Sequence, residues 1–475
     1  MYDIVQKSYV WARVENLETA RVLWKELGYN KILWERVGPE VKKVKVWVSC
    51  VSEKGWLFAG LLPEIKRRFR GVRIKRLDYR LKTVPPKLNG VKLRPYQERA
   101  VRVALREMRG VIQAPTGSGK TVIAAAIISS LKTPRVLFIV HRTPLLDQTF
   151  KTMRTLLSGV SVGRVGGGDV WIRDVTVATI QTLSKWEEWE LREFGKYFKA
   201  VIVDEAHHAH ANTWRKVLKC LEVPVRIGLT ATPHKLWTQE EYMKVTGLLG
   251  PIIEKVTYRE LAALGYVALP LVVMVMYPPV HVLWGKWHRV YRKGIVENEV
   301  RNKIITDIAR KLSERGSVLV HVIYEAHGRA LKSLLPEAKF VTGKVDRAVQ
   351  AEIKKSLDRK ETRIVITTTV WKEGVDIPSL DAVILASGLK SDIHVIQSVG
   401  RALRPSPTPP VIVDFYDTGH KRLERHSAKR LRIYDALGWP VMEVPIEEEE
   451  ELYEPQEEEK EEEETEEEAS AQGSP

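Results

Sequence analysis

Between residues 110 and 232 the apolar positions gather in short unbroken runs: GVIQA, RVLFIV, VTVAT, AVIVDE and RIGLTAT. Stretches with helical spacing separate them. A second series, SVLVHV, KFVTG, RIVITT, AVILAS and PVIVDF, runs from 317 to 415. A strand with one wet face alternates apolar and polar residues; a strand covered on both faces has no need to. Two series of unbroken runs with helices between them therefore predict two parallel sheets clad on both faces, hence two α/β domains. Residues 1–88 follow another rule. SYVWARV and KVKVWVSCV alternate as half-buried strands, ETARVLWKELG has helical spacing and a closing Gly, and LPEIKRRFRG repeats that design. This unit is expected to be a small α+β domain that ends at the Pro85-Pro86 linker.

One stretch imitates a membrane span. YVALPLVVMVMYPPVHVLW, residues 266–284, lacks Asp, Glu, Lys and Arg, but Pro270, Pro278 and Pro279 interrupt it. The β-rich LVVMVMY between them is expected to be a buried strand that opens the second domain. The organisation predicted is then 1–88 accessory, 89–255 first α/β domain, 256–300 connection and start of the second, 301–440 its remainder, and 441–475 an acidic disordered tail.

Charge sharpens this picture. With sixteen Glu and one Lys, residues 447–475 carry −15, and residues 1–446 carry the remaining +31 of a chain whose net charge is +16. So basic a body points to a polyanionic partner such as nucleic acid. Five tryptophans of the first unit, Trp11, Trp24, Trp34, Trp47 and Trp56, lie near the basic run Lys66, Arg67, Arg68 and Arg70. That combination can stack bases and hold phosphates, or simply fill a small core. The acidic tail can compete with nucleic acid, recruit a protein partner or act as a solubiliser. Only Cys50 and Cys220 occur, which excludes a disulfide framework, a four-cysteine zinc site and a four-cysteine iron–sulfur cluster. The N-terminus has no apolar signal segment. The expected location is a reducing compartment, the cytoplasm, away from membranes.

Two stretches carry chemistry. APTGSGKT, 114–121, follows the strand-like GVIQ and precedes the helix-forming VIAAAIISSL. In that context Gly117 and Gly119 let backbone N–H groups approach phosphates, with Thr116 and Ser118 in the same loop, and the new helix adds its positive end. Lys120 would reach the β/γ-phosphates and the Thr121 hydroxyl would ligate Mg²⁺. VIVDEAHHAHANTW, 201–214, allows a zinc site, an acid–base pair or the magnesium-and-water corner of a nucleotide pocket. Zinc fits poorly, because helical zinc pairs favour i, i+4 spacing and these histidines are closer together, with no cysteine nearby. A triphosphate loop needs a metal carboxylate and a water-positioning group on a neighbouring strand. Asp204 and Glu205 fit those two tasks.

The ordered set LRPYQ (93–97), APTGSGKT (114–121), VDEAHH (203–208), GLTATP (228–233), TTTVWKEGVDIP (367–378) and QSVGRALRP (397–405) resembles superfamily-2 helicases of the DEAH-box type. The connecting segments FAGLLPEIKRRF, LRPYQ, ALGYVALP and VENEVRNKI resemble those of the XPB and phage UvsW branch. The resemblance implies two tandem RecA-like parallel-sheet domains behind the small α+β unit, ATP and Mg²⁺ as cofactors, and DNA (single-stranded, duplex or branched) as partner. It further implies that Gln97 reads adenine, that Thr230 and Thr232 couple hydrolysis to strand movement, and that His207 bridges the metal corner to them. Gly374 and Asp376 would face the nucleotide from the second domain, and Gln397, Arg401 and Arg404 would complete the site across the cleft. His141, Arg142, Thr179, Gln181, Thr342, Gly343 and Thr368 match backbone-contact positions. The implied activity is a DNA helicase or translocase; a restriction-type motor subunit, an RNA helicase and a strand-annealing protein with a switching ATPase are its alternatives.

Overall fold

A computed structural model describes residues 2–37, 40–78, 80–132, 135–278, 283–368, 380–389 and 409–446. The first large sheet has eight strands in the order Asp169–Trp171, Val162–Gly166, Val175–Thr179, Val136–Val140, Ala200–Val203, Val225–Thr230, Arg109–Gln113 and Ile252–Lys255. Its neighbours are parallel except for the outer hairpin, where Asp169 pairs back on Gly166. All five apolar runs of the first series are strands, buried along almost their whole length. The hairpin and Ile252–Lys255 escape the pattern. GRVGGGDVW is too glycine-rich to read as apolar, yet Gly167 and Gly168 take φ of 66° and 96°, the double positive φ that a tight two-residue hairpin turn demands.

The second sheet has seven strands, all parallel, in the order Lys339–Val341, Ile364–Thr367, Val318–His321, Ala382–Leu385, Val411–Tyr416, Leu271–Met276 and Val441–Pro445. LVVMVM, the span-like segment, is the strand Leu271–Met276. One boundary moves: residues 441–445, included in the expected tail, form the edge strand beside Leu271–Met276. Glu443 and Pro445 disguise it, but an edge strand with mostly exposed side chains tolerates both. Among the described residues no helix is long and apolar enough to cross a membrane.

Charge lies buried inside the second domain. Asp417 accepts from Arg301 Nε at 2.8 Å and Tyr277 Oη at 2.9 Å, and its other oxygen lies 3.4 Å from Arg430 Nη2. Asp414 takes Arg430 Nε at 2.8 Å and Tyr434 Oη at 2.7 Å. Both arginines and both aspartates are fully buried.

The N-terminal unit is a mixed four-stranded sheet (Trp56–Phe58, Trp11–Val14, Ile4–Gln6, Ile74–Lys75) with a separate hairpin, Gly28–Val37 and Glu40–Ser49. Helix Leu17–Glu26 starts at Asn16, whose side chain accepts from Thr19 N. Gly28 does not close that helix in a left-handed turn; it opens the hairpin, where a Cβ would lie 2.4 Å from Val48 O. The unit's core includes Met243 from helix Gln239–Leu249 of the first large domain. At this junction a Cβ on Gly60 would lie 2.2 Å from Thr246 O, and one on Gly247 would lie 3.1 Å from Phe58 Cβ. Two backbones press together there with no flexible side chain to yield. Gly60→Ala is therefore expected to cost about 1–3 kcal/mol, the usual cost of overpacking. Urea unfolding measures it, and an unchanged midpoint would contradict the close approach.

Candidate active site

The C-terminal ends of the parallel strands define one edge of each sheet, the edge at which open α/β sheets bind ligands. From strand Arg109–Gln113 the chain turns through 114–119 into helix Lys120–Ser129. Gly117 and Gly119 stand at φ 81° and 75°, and a Cβ on Gly119 would meet Gln97 Nε2 at 2.6 Å. The helix is sunk in the core along 123–128, so its positive end points into the loop. Ser118 Oγ donates to Pro115 O at 2.7 Å. Lys120 Nζ curls over the loop to Ala114 O at 3.4 Å and Pro115 O at 3.5 Å. Such long contacts are weak, and phosphate oxygens would replace them at little cost.

Aromatic and amide side chains brace this loop. Tyr96 Oη and Gln97 Nε2 both donate to Ser118 O, at 2.8 and 2.9 Å, while Gln97 Oε1 accepts from Arg94 N. The Arg94 guanidinium stacks on Tyr266 at 4.0 Å. Thr116 Oγ1 and Tyr258 Oη share a hydrogen bond of 2.6 Å. Tyr258 meets Trp439 edge-on at 5.3 Å, and Trp439 stacks on Tyr434, whose hydroxyl bonds Asp414. A continuous set of contacts thus joins the loop to the buried charges of the second domain. Motif reading finds Gln97 but misses Tyr96, Arg94, Tyr266 and Tyr258. Tyr96 and Arg94 sit inside LRPYQ and Tyr266 inside ALGYVALP, whereas nothing local marks Tyr258.

Strand Ala200–Val203 ends at the second chemical stretch. Asp204 N donates to Ile139 O at 2.9 Å, and Asp204 Oδ1 accepts from Glu205 N at 3.0 Å. Glu205 stands at φ 47°, ψ 51°, a left-handed conformation that costs a non-glycine residue roughly 1–2 kcal/mol. Its Oε2 is buried and has no hydrogen bond among the described residues. His207 Nδ1 lies 3.4 Å from that oxygen. Burial alone would raise the Glu205 pKa, but His207 and the Lys120 charge outweigh it and hold the group below the usual carboxylate range.

The same His207 nitrogen lies 3.1 Å from Thr230 Oγ1 and 3.4 Å from Thr232 Oγ1. Thr230 Oγ1 also accepts from Thr232 N at 3.1 Å. One ring nitrogen therefore meets the acidic corner and GLTATP at once. Gly228 makes the approach possible, since a Cβ there would lie 2.7 Å from Ala206 Cβ.

The other histidines turn elsewhere. His208 packs its ring against His207 at 4.1 Å and His141 at 4.6 Å. Burial first, then those two neighbours, hold its pKa down to about 3, so it is neutral. His210 Nδ1 donates to His207 O at 2.6 Å. Among the described residues no group of three or more His, Cys, Asp or Glu converges as a metal cluster. The Thr121 hydroxyl and Asp204 carboxylate are hard oxygen donors suited to Mg²⁺, and the buried Glu205 Oε2, 3.4 Å from His207 Nδ1, can accept a hydrogen bond from water.

The expected backbone-contact residues divide. Arg142, Gln181 and Gly343 are exposed, and His141 is half-buried against His208. Thr179 is buried and caps helix Ile180–Leu183, with its Oγ1 bonded to Thr182 Oγ1 at 2.9 Å. Thr342 and Thr368 are buried as well; Thr342 Oγ1 accepts from Lys344 N at 3.2 Å, and Thr368 N donates to Val341 O. Gly374, Asp376, Gln397, Arg401 and Arg404 lie outside the described residues, as does the acidic segment from Glu447.

Comparison with known proteins agrees with this geometry. Residues 90–235 match the family described as type III restriction enzyme, res subunit, and residues 300–406 match the helicase conserved C-terminal domain. The chain is 25% identical over 369 residues to "DNA 3'-5' translocase XPB2" of Sulfurisphaera tokodaii, covering 69% of this chain and 82% of that one. It is 27% identical over 365 residues to "ATP-dependent DNA helicase uvsW" of Enterobacteria phage T4, covering 71% of each. The ATP-dependent type ISP restriction-modification enzyme LlaBIII, solved bound to DNA, shares the fold, with TM-score 0.53, 16% identity, and coverage of 75% of this chain and 32% of that one. The chain belongs to the superfamily-2 helicases, in the XPB and UvsW branch, and is an ATP-hydrolysing helicase enzyme built on two RecA-like domains.

Proposed function

We propose that the chain couples Mg²⁺-ATP hydrolysis to movement along, or remodelling of, DNA in replication, recombination or repair. One observation carries this reading: His207 Nδ1 sits within 3.4 Å of Glu205 Oε2, Thr230 Oγ1 and Thr232 Oγ1 together. One ring nitrogen cannot bond three oxygens well at once, so a change at Glu205 redistributes its contacts with the threonines. Lys120 and the N–H groups of 116–119 would cradle the phosphates, and Gln97 would meet the base. Thr121 and Asp204 would hold Mg²⁺, which neutralises charge on the phosphate oxygens. Glu205 would orient the attacking water and take its proton as the phosphoryl group departs. Its low pKa makes it a poor base before that point, so orientation is its first task. From the second domain Gly374, Asp376 and Gln397 would line the cleft. Arg401 and Arg404 would supply two guanidinium forks for the transition-state charge. His141, Arg142, Gln181 and Gly343, with Thr179, Thr342 and Thr368 shaping the loops around them, would meet the sugar–phosphate backbone, a contact that carries little sequence information.

The N-terminal unit would add affinity. Trp24 and Trp47 are 48% and 36% exposed, and Lys31, Lys43 and Lys45 share the hairpin that carries Trp47. Exposed indoles beside cations suit stacked bases. The acidic segment is a candidate docking site for a protein partner, and the expected setting is the cytoplasm of a cell or of a virus's host. The match of 90–235 to a restriction-enzyme family favours one second reading, duplex translocation without strand separation. Strand-displacement and triplex-displacement assays on the same preparation separate the two. Displacement of both substrates supports unwinding; loss of the triplex strand alone supports translocation; neither, with ATP turnover intact, refutes movement.

A further inference from the structure

Helix Lys421–Leu437 carries Arg422, Arg425, Lys429 and Arg432 on one exposed face at alternating three- and four-residue spacing. Together with Lys235, which follows GLTATP in the first domain, they line a groove of about 630 Å³ between the two domains. Asp435 is the one carboxylate in its lining. None of the five cations has an ion pair among the described residues; Arg422 instead stacks on Trp287 at 4.1 Å. Some surface arginines elsewhere are paired, as where Arg99 meets both Glu254 and Glu260. Five uncompensated cations along one groove repel each other and favour a polyanion.

We propose that the occupant is the chain's own acidic segment, residues 447–475. Its sixteen glutamates are opposite in charge to the groove, and its point of departure is close by. Strand Val441–Pro445 follows the helix after a short turn and runs parallel to Leu271–Met276, where Ile446 N donates to Met276 O at 2.8 Å. The chain therefore leaves at the C-terminal edge of the second sheet. The helix runs back from its own strand, Val411–Tyr416, so its Lys421 end stands at that same edge. Extended, 29 residues reach on the order of 95 Å, more than enough to follow the helix face to Lys235. Tethering supplies the advantage over free nucleic acid. An effective concentration on the order of 1 mM against a non-specific Kd of about 10⁻⁴ M leaves roughly ten seated segments for each free one. Seated there, the segment spans both domains and holds other polyanions off the basic body.

Carbodiimide coupling tests the contact directly, since it condenses a carboxylate with a lysine amine, with loss of water, only where the two touch. In the full chain at low salt, cross-links from Lys429 and Lys235 to the Glu-rich segment are expected. They should fall about tenfold in Arg425→Glu/Arg432→Glu, which leaves both lysines in place, and fade as salt rises. Cross-links that form only at other lysines, or that survive the charge reversal, would overturn the proposal. A second measurement compares binding of a short single-stranded DNA. Ending the chain at Ile446 is expected to tighten binding about tenfold, and to do much less in the charge-reversed background. Equal gains in both backgrounds would show that the segment acts without the groove. No cross-links, with a charge reversal that weakens DNA binding equally in both chain lengths, would assign the groove to nucleic acid.

Discussion

Glu205→Gln is expected to bind Mg²⁺-ATP as the unaltered chain does and to hydrolyse it about 10²- to 10⁴-fold more slowly, the range for losing a positioned acid–base group. Glutamine keeps the length of the side chain and one carbonyl oxygen, so the strained turn at φ 47° need not rearrange. What it loses is the negative charge that Lys120 and His207 now stabilise, and with it the strong acceptor for a water proton. The Nδ1 of His207 would lose its charged neighbour at 3.4 Å and settle on Thr230 Oγ1 at 3.1 Å. Nucleotide titration and single-turnover hydrolysis on one preparation separate binding from chemistry. A hydrolysis rate close to that of the unaltered chain would assign the water to another group.

Asp417→Ala is expected to destabilise the second domain by about 3–5 kcal/mol, the cost of leaving buried charge without its partner. Asp417 is the shared anion for Arg301 and Arg430, and it takes the Tyr277 hydroxyl as well. Removing it leaves the fully buried Arg301 guanidinium without its anion, while Arg430 keeps Asp414 at 2.8 Å. The double variant Asp417→Ala/Arg301→Met should recover part of the loss, because an apolar side chain needs no counter-charge. Denaturant unfolding should show the second domain melting early while the first keeps its transition. Single-variant loss below that of an ordinary surface substitution would mean that the network contributes little.

Both large sheets are legible in the sequence because their strands are covered on two faces, which leaves unbroken apolar runs such as RVLFIV and AVILAS. The phosphate loop is legible for a different reason: Gly117, Gly119 and Lys120 sit between a strand and a helix, the context that gives the motif meaning. The glycine hairpin at 162–171 is hidden because its turn chemistry displaces apolar residues. Strand Val441–Pro445 is hidden because edge strands need little burial. At the site, the neighbourhood of His207 and GLTATP follows from motif order, but the sharing of one nitrogen among three oxygens is tertiary geometry. Tyr258 is beyond any local pattern, since its partner Thr116 lies 142 residues away. Thr179 and Thr342 match backbone-contact positions by spacing, yet their hydroxyls serve local turns; only folded coordinates separate those two uses.

Steady-state ATP turnover by the purified chain with Mg²⁺, alone and with single-stranded, duplex, forked and four-way DNA and with RNA of matched sequence, tests the central claim most directly. Turnover that is slow alone, rises with DNA more than with RNA and vanishes in Glu205→Gln is the expected result. Turnover indifferent to every nucleic acid would contradict a motor driven along DNA.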